Sequence, residues 1–226
     1  MTHDAQLQAD AFAQQRQTMV DRQLRDRGIK DERILQAMGR VPRHLFVPSE
    51  FRHNAYTDNA LPIGEEQTVS QPYIVAAMLG ALAVEPSSIV LEVGTGSGYL
   101  TALLSELGGH VYSVERLAGL AQSAESILRS LNYTNMTIQV GDGSVGLQQH
   151  APFDAIVVSA AAPYVPEPLI QQLKDGGRMV IPVGPAQIQN LQLVIKQQGK
   201  AEVKKLDACR FVPLIGERGY KTGWEG

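Results

Sequence analysis

The chain has 226 residues, a hydrophobic fraction of 44%, a charged fraction of 19% and a formal net charge of −3. This length and hydrophobic fraction are typical of one globular domain that can bury a sizeable core. The weakly acidic balance argues against a nucleic-acid-binding protein, because such proteins usually carry a clearly basic surface.

Three features bear on where the protein works. A single cysteine, Cys209, excludes an internal disulfide bond and suits a reducing compartment. The first residues are polar and lack the apolar core of a signal peptide. The longest apolar run, residues 74–84, is too short to span a membrane and indicates a buried helix. We therefore expect a cytoplasmic monomer that binds neither a membrane nor nucleic acid.

The first fifty residues predict a helical extension that packs on the main fold. Apolar residues within 11–27 recur on one helical face, and Gly28 is a plausible stop. Asp31 is placed to cap a second helix that ends before Pro42.

Residues 51–72 predict a long connection, because their periodicity is weak and turn formers are frequent. Such a connection in a compact domain is usually functional or disordered. It leads into a helix over residues 73–83, with Pro72 in the first turn, where a missing N–H is harmless. Either Ser70 or Gln71 lies at the cap, so the simplest local interpretation of Ser70 is a helix cap.

A strand that ends in a glycine turn occupies the middle of the chain. Residues 89–93 are almost all apolar, as in a strand that is covered on both faces. Gly94, Gly96 and Gly98 follow, and glycine allows a sharp turn or the close approach of a ligand. Because ligands bind at the carboxyl ends of strands in open parallel sheets, we expect a nucleotide-like cofactor at this turn.

Strands and helices alternate after this turn, which predicts a doubly wound, mainly parallel sheet. Further strands are predicted over residues 110–114, 137–140, 153–159 and 179–183. Helices are predicted over residues 99–107, 117–131 and 166–173, the last of them ended by Gly176 and Gly177. Residues 191–196 and 201–206 flank a short turn and predict a hairpin, hence antiparallel strands at one edge of the sheet.

The glycine spacing separates classes of cofactor. A dinucleotide fingerprint needs G-x-G-x-x-G, and here its third glycine would fall on Tyr99. No Lys-Ser or Lys-Thr pair follows the turn, which excludes a Walker phosphate loop. Glu115 ends the next strand, where a carboxylate accepts hydrogen bonds from the ribose hydroxyls of either NAD or S-adenosylmethionine.

Acidic residues at three successive strand ends favour S-adenosylmethionine over a nicotinamide cofactor. Glu92 lies beside the turn and can pair with the ammonium of the ligand's amino-acid tail, directly or through water. Asp142, between Gly141 and Gly143, can accept a hydrogen bond from the adenine amino group. Each acidic residue can also cap a strand end, but three together are hard to explain as caps alone. We expect no metal ion.

Four sequence blocks resemble the protein-L-isoaspartate O-methyltransferase family, and the resemblance runs from about Met19 to Leu214. The blocks are Pro62–Gly64 with Gln67–Pro72, Val90–Tyr99, Gly141–Gly143, and Phe153–Ile156 with Val180–Gly184. Residues 210–214 are a shorter fifth match. The glycine block alone is typical of methyltransferases in general, whereas Gln-Thr-Val-Ser-Gln-Pro beside Pro-Ile-Gly is much more specific.

The resemblance implies a Rossmann-like sheet, S-adenosylmethionine as methyl donor, and the free carboxylate of L-isoaspartyl residues in damaged proteins and peptides as acceptor. It places the active-site serine on Ser70. The expected cofactor-binding residues are Thr68, Val69, Ser70, Glu92, Gly94, Thr95, Gly96, Ser97, Gly98, Glu115, Arg116, Gly141, Asp142 and Gly143. The expected single methyltransferase domain, 1–226, comprises the extension 1–50, the active-site loop 51–72, the cofactor-binding core 73–190, and the antiparallel edge and tail 191–226.

Two positions depart from the family's pattern. Glu66 stands where the family usually has glycine, immediately before the Gln-Thr pair, and Ser144 stands where an aromatic residue is common. The Glu66 anion either repels an acceptor carboxylate or points to solvent. The alternatives are therefore a methyltransferase with another acceptor and a non-catalytic protein that keeps the cofactor pocket. An NAD-dependent oxidoreductase is a third, which Tyr99 disfavours.

Overall fold

Helices and strands alternate along the chain, whose computed structural model describes residues 3–222 and residue 224. Residues 1, 2, 223, 225 and 226, which the expected domain also covers, lie outside the described residues. The helices are α1 (His3–Thr18), α2 (Glu32–Arg40), α3 (Pro72–Leu82), α4 (Tyr99–Leu107), α5 (Ala118–Ser130) and α6 (Glu167–Gln172). The strands are β1 (Leu61–Gly64), β2 (Gln67–Val69), β3 (Ile89–Val93), β4 (His110–Glu115), β5 (Met136–Val140), β6 (Phe153–Val158), β7 (Leu173–Val183), β8 (Gln189–Gln197) and β9 (Lys200–Cys209).

Strands β3 to β9 form one sheet in the order β5-β4-β3-β6-β7-β8-β9. The strands from β5 to β7 in this order pair in parallel, whereas β8 and β9 pair antiparallel. Val90 and Leu91 of β3 are fully buried, one on each face of the sheet. This confirms the predicted Rossmann-like, doubly wound, mainly parallel sheet with antiparallel strands at one edge.

The N-terminal helices pack on one face of the sheet through a continuous apolar core. Helix α1 continues into a π-helical turn, Met19–Leu24, and a 3-10 turn, Arg25–Arg27, before Gly28 ends it with a φ of +93°. The side chain of Asp31 accepts a hydrogen bond from the backbone N–H of Arg33 at 2.9 Å, which confirms the predicted cap of α2. Among the described residues, no helix is long and apolar enough to cross a bilayer.

The predicted end of the sixth helix at Gly176 and Gly177 is wrong. Helix α6 already ends at Gln172, and both glycines lie inside β7. The register between β6 and β7 is irregular here, and a Cβ on Gly177 would lie 3.0 Å from the carbonyl oxygen of Asp154. The glycine therefore permits two backbones to approach closely at a strand irregularity, and it does not end a helix.

A small hairpin, β1–β2, lies inside the predicted long connection. Its strands are joined by Glu65 and Glu66, whose φ angles are +50° and +58°. Two successive residues with positive φ are typical of the tight turns that join antiparallel strands, and glycine or asparagine is preferred there. Glu66 is exposed, so its charge faces solvent. Glutamate in place of the family's glycine at position 66 therefore strains the backbone of the turn.

We predict that Glu66→Gly raises the free energy of unfolding by about 0.5–1 kcal/mol, because glycine adopts a positive φ without strain. Urea denaturation measures this change as a higher midpoint at constant slope. Glu66→Ala is the matched control, because it removes the charge and keeps the Cβ atom. An equal gain in both variants would show that charge repulsion beside Glu65, and not backbone strain, limits stability at this turn.

Candidate active site

A cavity lies at the carboxyl ends of β3, β4 and β6, where the strand order reverses. This is the place where open parallel sheets bind ligands. Of the expected cofactor-binding residues, those that line the cavity are Thr68, Val69, Ser70, Gly94, Thr95, Gly96, Ser97, Glu115, Arg116 and Gly143. Those that do not line it are Glu92, Gly98, Gly141 and Asp142.

The turn after β3 forms the floor of this cavity. Gly94, Gly96 and Gly98 have φ angles of +92°, +54° and +87°, which side chains rarely tolerate. A Cβ on Gly98 would lie 3.1 Å from the Cβ of Ala124, so the glycine also lets α5 pack against the start of α4. At Gly94 and Gly96, which line the cavity, the floor is bare backbone that a ligand can approach closely.

The carboxylate of Glu115 fixes the position of this turn. One oxygen accepts a hydrogen bond from the backbone N–H of Gly96 at 2.9 Å, and the other accepts from the N–H of Leu117 at 2.9 Å. Each carboxylate oxygen has a second lone pair, so both can still accept a hydroxyl hydrogen. The side chain lines the cavity, and its chemistry fits the predicted ribose contact.

The carboxyl of Glu92, a residue of β3, is fully buried. Its Oε2 atom accepts hydrogen bonds from the hydroxyls of Thr101 and Ser113, both at 2.6 Å. Burial raises the pKa of Glu92 to about 8, although these two hydrogen bonds lower it in part. The side chain is therefore mainly protonated at neutral pH, and its hydrogen bonds join β3 to α4 and β4. Its pairing with a ligand ammonium stays a prediction.

Asp142, which does not line the cavity, binds a C-terminal segment of the chain. Its Oδ1 accepts from the N–H and the hydroxyl of Ser144 at 2.8 and 2.6 Å, and its Oδ2 accepts from the N–H of Glu217 at 2.7 Å. Burial by itself raises the pKa of Asp142, but these bonds together hold it below its ordinary value. One lone pair of Oδ2 remains for an adenine amino group.

This tail contact also accounts for Ser144, the second departure from the family's pattern. The hydroxyl of Ser144 accepts a hydrogen bond from the N–H of Arg218 at 2.9 Å. A Cβ on Gly216 would lie 2.5 Å from that hydroxyl, so glycine is required where the tail crosses it. This contact was not predictable, because nothing in the local sequence pattern relates residues more than seventy positions apart.

Ser70 lies between two cavities. The second cavity meets the first at Thr68, Ser70, Ser159 and Val212. Its other lining residues are Asp58, Asn59, Ala60, Gln71, Ile74, Ala208, Cys209, Arg210 and Phe211. The N-cap of α3 is Gln71, and its side chain makes no cap hydrogen bond. The interpretation of Ser70 as a helix cap is therefore wrong, and Ser70 lines both cavities.

A C-terminal segment, residues 212–215, forms another wall of the first cavity. The N–H of Ala161 donates to the carbonyl of Val212, and the N–H of Leu214 donates to the carbonyl of Ala161, both at 2.7 Å. None of the expected cofactor-binding residues lies in this segment, although residues 210–214 belong to the fifth block of the family resemblance. That block is the signal that could have indicated this wall.

The family model described as Protein-L-isoaspartate(D-aspartate) O-methyltransferase matches residues 14–219. The chain is 54% identical over 214 residues to the protein-L-isoaspartate O-methyltransferase of Syntrophus aciditrophicus, covering 93% of this chain and 98% of that protein. It is 50% identical over 220 residues to the one of Methanoculleus marisnigri, covering 97% and 98%.

Solved structures agree with these sequence matches. One protein-L-isoaspartate O-methyltransferase superposes with a TM-score of 0.82 at 29% identity, covering 90% of this chain and 67% of that chain. Another, from Plasmodium falciparum in complex with S-adenosyl-L-homocysteine, superposes with a TM-score of 0.78 at 25% identity, covering 88% and 98%. The chain belongs to the protein-L-isoaspartate O-methyltransferase family.

Proposed function

We propose that the protein transfers the methyl group of S-adenosylmethionine to the free carboxylate of L-isoaspartyl residues in damaged proteins and peptides. The observation that carries this proposal is the junction of two cavities at Ser70. The first cavity has the bare backbone and the carboxylate that suit the methyl donor. The second opens beside it and suits the acceptor. Membership of the family supports this choice of donor and acceptor.

The residues of the first cavity fit S-adenosylmethionine, which supplies a methyl group on a positively charged sulfur when it is bound. Glu115 accepts from the ribose hydroxyls through the lone pairs that Gly96 and Leu117 leave free. Asp142 does not itself line this cavity, and the remaining lone pair of its Oδ2 is the one that would accept from the adenine amino group. The rest of the ligand would be enclosed by the turn after β3 and by residues 68–70, at the end of β2.

No strong base is required, because the acceptor carboxylate, with an ordinary pKa of about 4, is already ionised at neutral pH. The positions of four histidines are consistent with a reaction that needs no base. His44, His53, His110 and His150 line neither cavity. Burial lowers the pKa of His44 to about 4, and its ring stacks on Phe12 with centroids 4.1 Å apart. His44 therefore stays neutral and packs against Phe12 of α1.

The protein's contribution is mainly to position the two reactants. Holding reacting atoms in near-attack geometry can supply roughly 7–11 kcal/mol of a barrier in favourable cases. The hydroxyl of Ser70 donates a hydrogen bond to the acceptor carboxylate and orients the attacking oxygen. The walls around it exclude water, which strengthens the attacking anion.

The structure removes one reason to consider a different acceptor. Glu66 is exposed in the β1–β2 turn and lines neither cavity. Its charge therefore faces solvent and does not meet the acceptor. A protein that binds the cofactor without catalysis would share the first cavity, so only turnover separates it from the proposed enzyme.

An isoaspartyl peptide and its aspartyl twin test the acceptor directly. With labelled S-adenosylmethionine, we predict methyl incorporation into the isoaspartyl peptide and background labelling of the aspartyl one, because the two differ in the position of the free carboxylate. Equal labelling would indicate a different acceptor. Binding of S-adenosylhomocysteine without labelling of either peptide would indicate a non-catalytic relative.

Ser70→Ala should lower kcat about 100-fold, the usual loss when one positioned donor is removed from a reaction centre. Affinity for S-adenosylhomocysteine, measured by calorimetry, should change less than about twofold, since the serine hydroxyl acts on the acceptor. Ser87→Ala, at an exposed position before β3, is the control and should match the wild type. A parallel loss of cofactor affinity in Ser70→Ala would contradict the assigned role.

Glu115→Gln should weaken binding of S-adenosylhomocysteine about tenfold to 100-fold, because hydrogen bonds to a charged group contribute roughly 1.5–3 kcal/mol. The peptide KM at saturating cofactor should change little. Glu125→Gln, which removes a carboxylate from the exposed face of α5, serves as the control. An unchanged cofactor affinity in Glu115→Gln would remove the ribose assignment.

A further inference from the structure

Arg43 is a fully buried arginine that lies outside both cavities. It begins a short 3-10 turn, Arg43–Phe46, in the connection between α2 and β1. Among the described residues it forms no ion pair with a carboxylate. Burial lowers the pKa of Arg43, since the charged guanidinium loses its water there. A buried cation without an anionic partner is costly, so its contacts indicate what it stabilises.

The guanidinium of Arg43 bonds to two carbonyl groups of the active-site loop. Its Nε donates to the carbonyl oxygen of Ala55, and its Nη2 donates to the carbonyl oxygen of Ser70, both at 2.8 Å. These carbonyls lie on either side of the β1–β2 hairpin. Arg43 therefore fixes both ends of the segment that carries Ser70 into the cavities.

The same guanidinium lies over the ring of Tyr99, 4.8 Å from its centroid. Tyr99 is fully buried and is the first residue of α4, directly after the glycine turn. Arg43 thus contacts the start of the helix behind the cofactor-side turn and the backbone of Ser70 at once. The two walls across which methyl transfer is proposed are joined through this one side chain.

We propose that Arg43 is a positioning residue for methyl transfer, and that it sets the distance between the backbone of Ser70 and the cofactor-binding turn. This inference rests on the proposed function. A planar guanidinium can bond two carbonyls and stack on a ring simultaneously, whereas the compact ammonium of lysine cannot reproduce this geometry. Arg43→Lys keeps the charge and loses the fixed spacing.

The chain offers a matched control. Arg33 also donates to two backbone carbonyls, those of Val84 and Leu107, each at 2.9 Å. Neither carbonyl borders the cavities. Arg33→Lys therefore tests the loss of a two-carbonyl bridge away from the site.

The experiment compares Arg43→Lys, Arg33→Lys, Ser70→Ala and the double variant Arg43→Lys/Ser70→Ala, all well below their unfolding temperatures. We expect Arg43→Lys to lower kcat about 10- to 100-fold, because small misplacements of reacting groups have losses of this size. The KM for S-adenosylmethionine should change less than about twofold, and Arg33→Lys should keep wild-type kcat. In the Ser70→Ala background, Arg43→Lys should lower kcat less than about threefold, since both changes act through one group.

Two results would overturn this role. One is an equal kcat loss from Arg43→Lys in both backgrounds, and the other is a loss from Arg33→Lys as large as that from Arg43→Lys. Hydrogen exchange supplies a readout that does not need turnover. Amides of residues 68–71 should exchange faster in Arg43→Lys and not in Arg33→Lys. Unchanged exchange would refute the proposal, whereas faster exchange in a protein that methylates neither peptide would refute only the proposed function.

Discussion

The carboxylate of Glu115 is the contact on which the cofactor side of the site depends. It accepts a hydrogen bond from the backbone N–H of Gly96, in the turn after β3, and another from the N–H of Leu117, directly before α5. Two neighbouring strand ends are thereby fixed to one side chain, which still has lone pairs for a ligand. The arrangement is possible because glycine at 94, 96 and 98 accepts positive φ angles. The binding surface therefore combines a rigid backbone with one anionic acceptor.

The local sequence pattern predicted the first and last residues of β3 and α4 correctly. Strand β3 and helix α4 lie where periodicity and glycine placed them, because a strand that is buried on both faces and a helix after a glycine turn have strong local signals. The pair Gly176 and Gly177 misled the prediction of α6. Glycine ends helices and also permits close backbone approach, and only the contact with Asp154 in the folded chain distinguishes these uses.

The site was predictable where its residues end strands or belong to a motif. Ser70 and Glu115 are of this kind, and both line the cavity. The direction in which the Glu92 side chain points was harder to predict. Side chains alternate along β3, and that of Glu92 points to the face that α4 covers. Arg43 and the contact between Asp142 and Glu217 were not predictable, since they arise only when segments distant in sequence meet.

The wall formed by residues 212–215 has a consequence for the changes of sequence that the site tolerates. Two hydrogen bonds between backbone groups hold this segment to Ala161. Every residue except proline carries both backbone groups, so a non-proline substitution at Val212 or Leu214 leaves these bonds in place. The side chains of the wall can therefore vary while its backbone keeps its position beside the cavity.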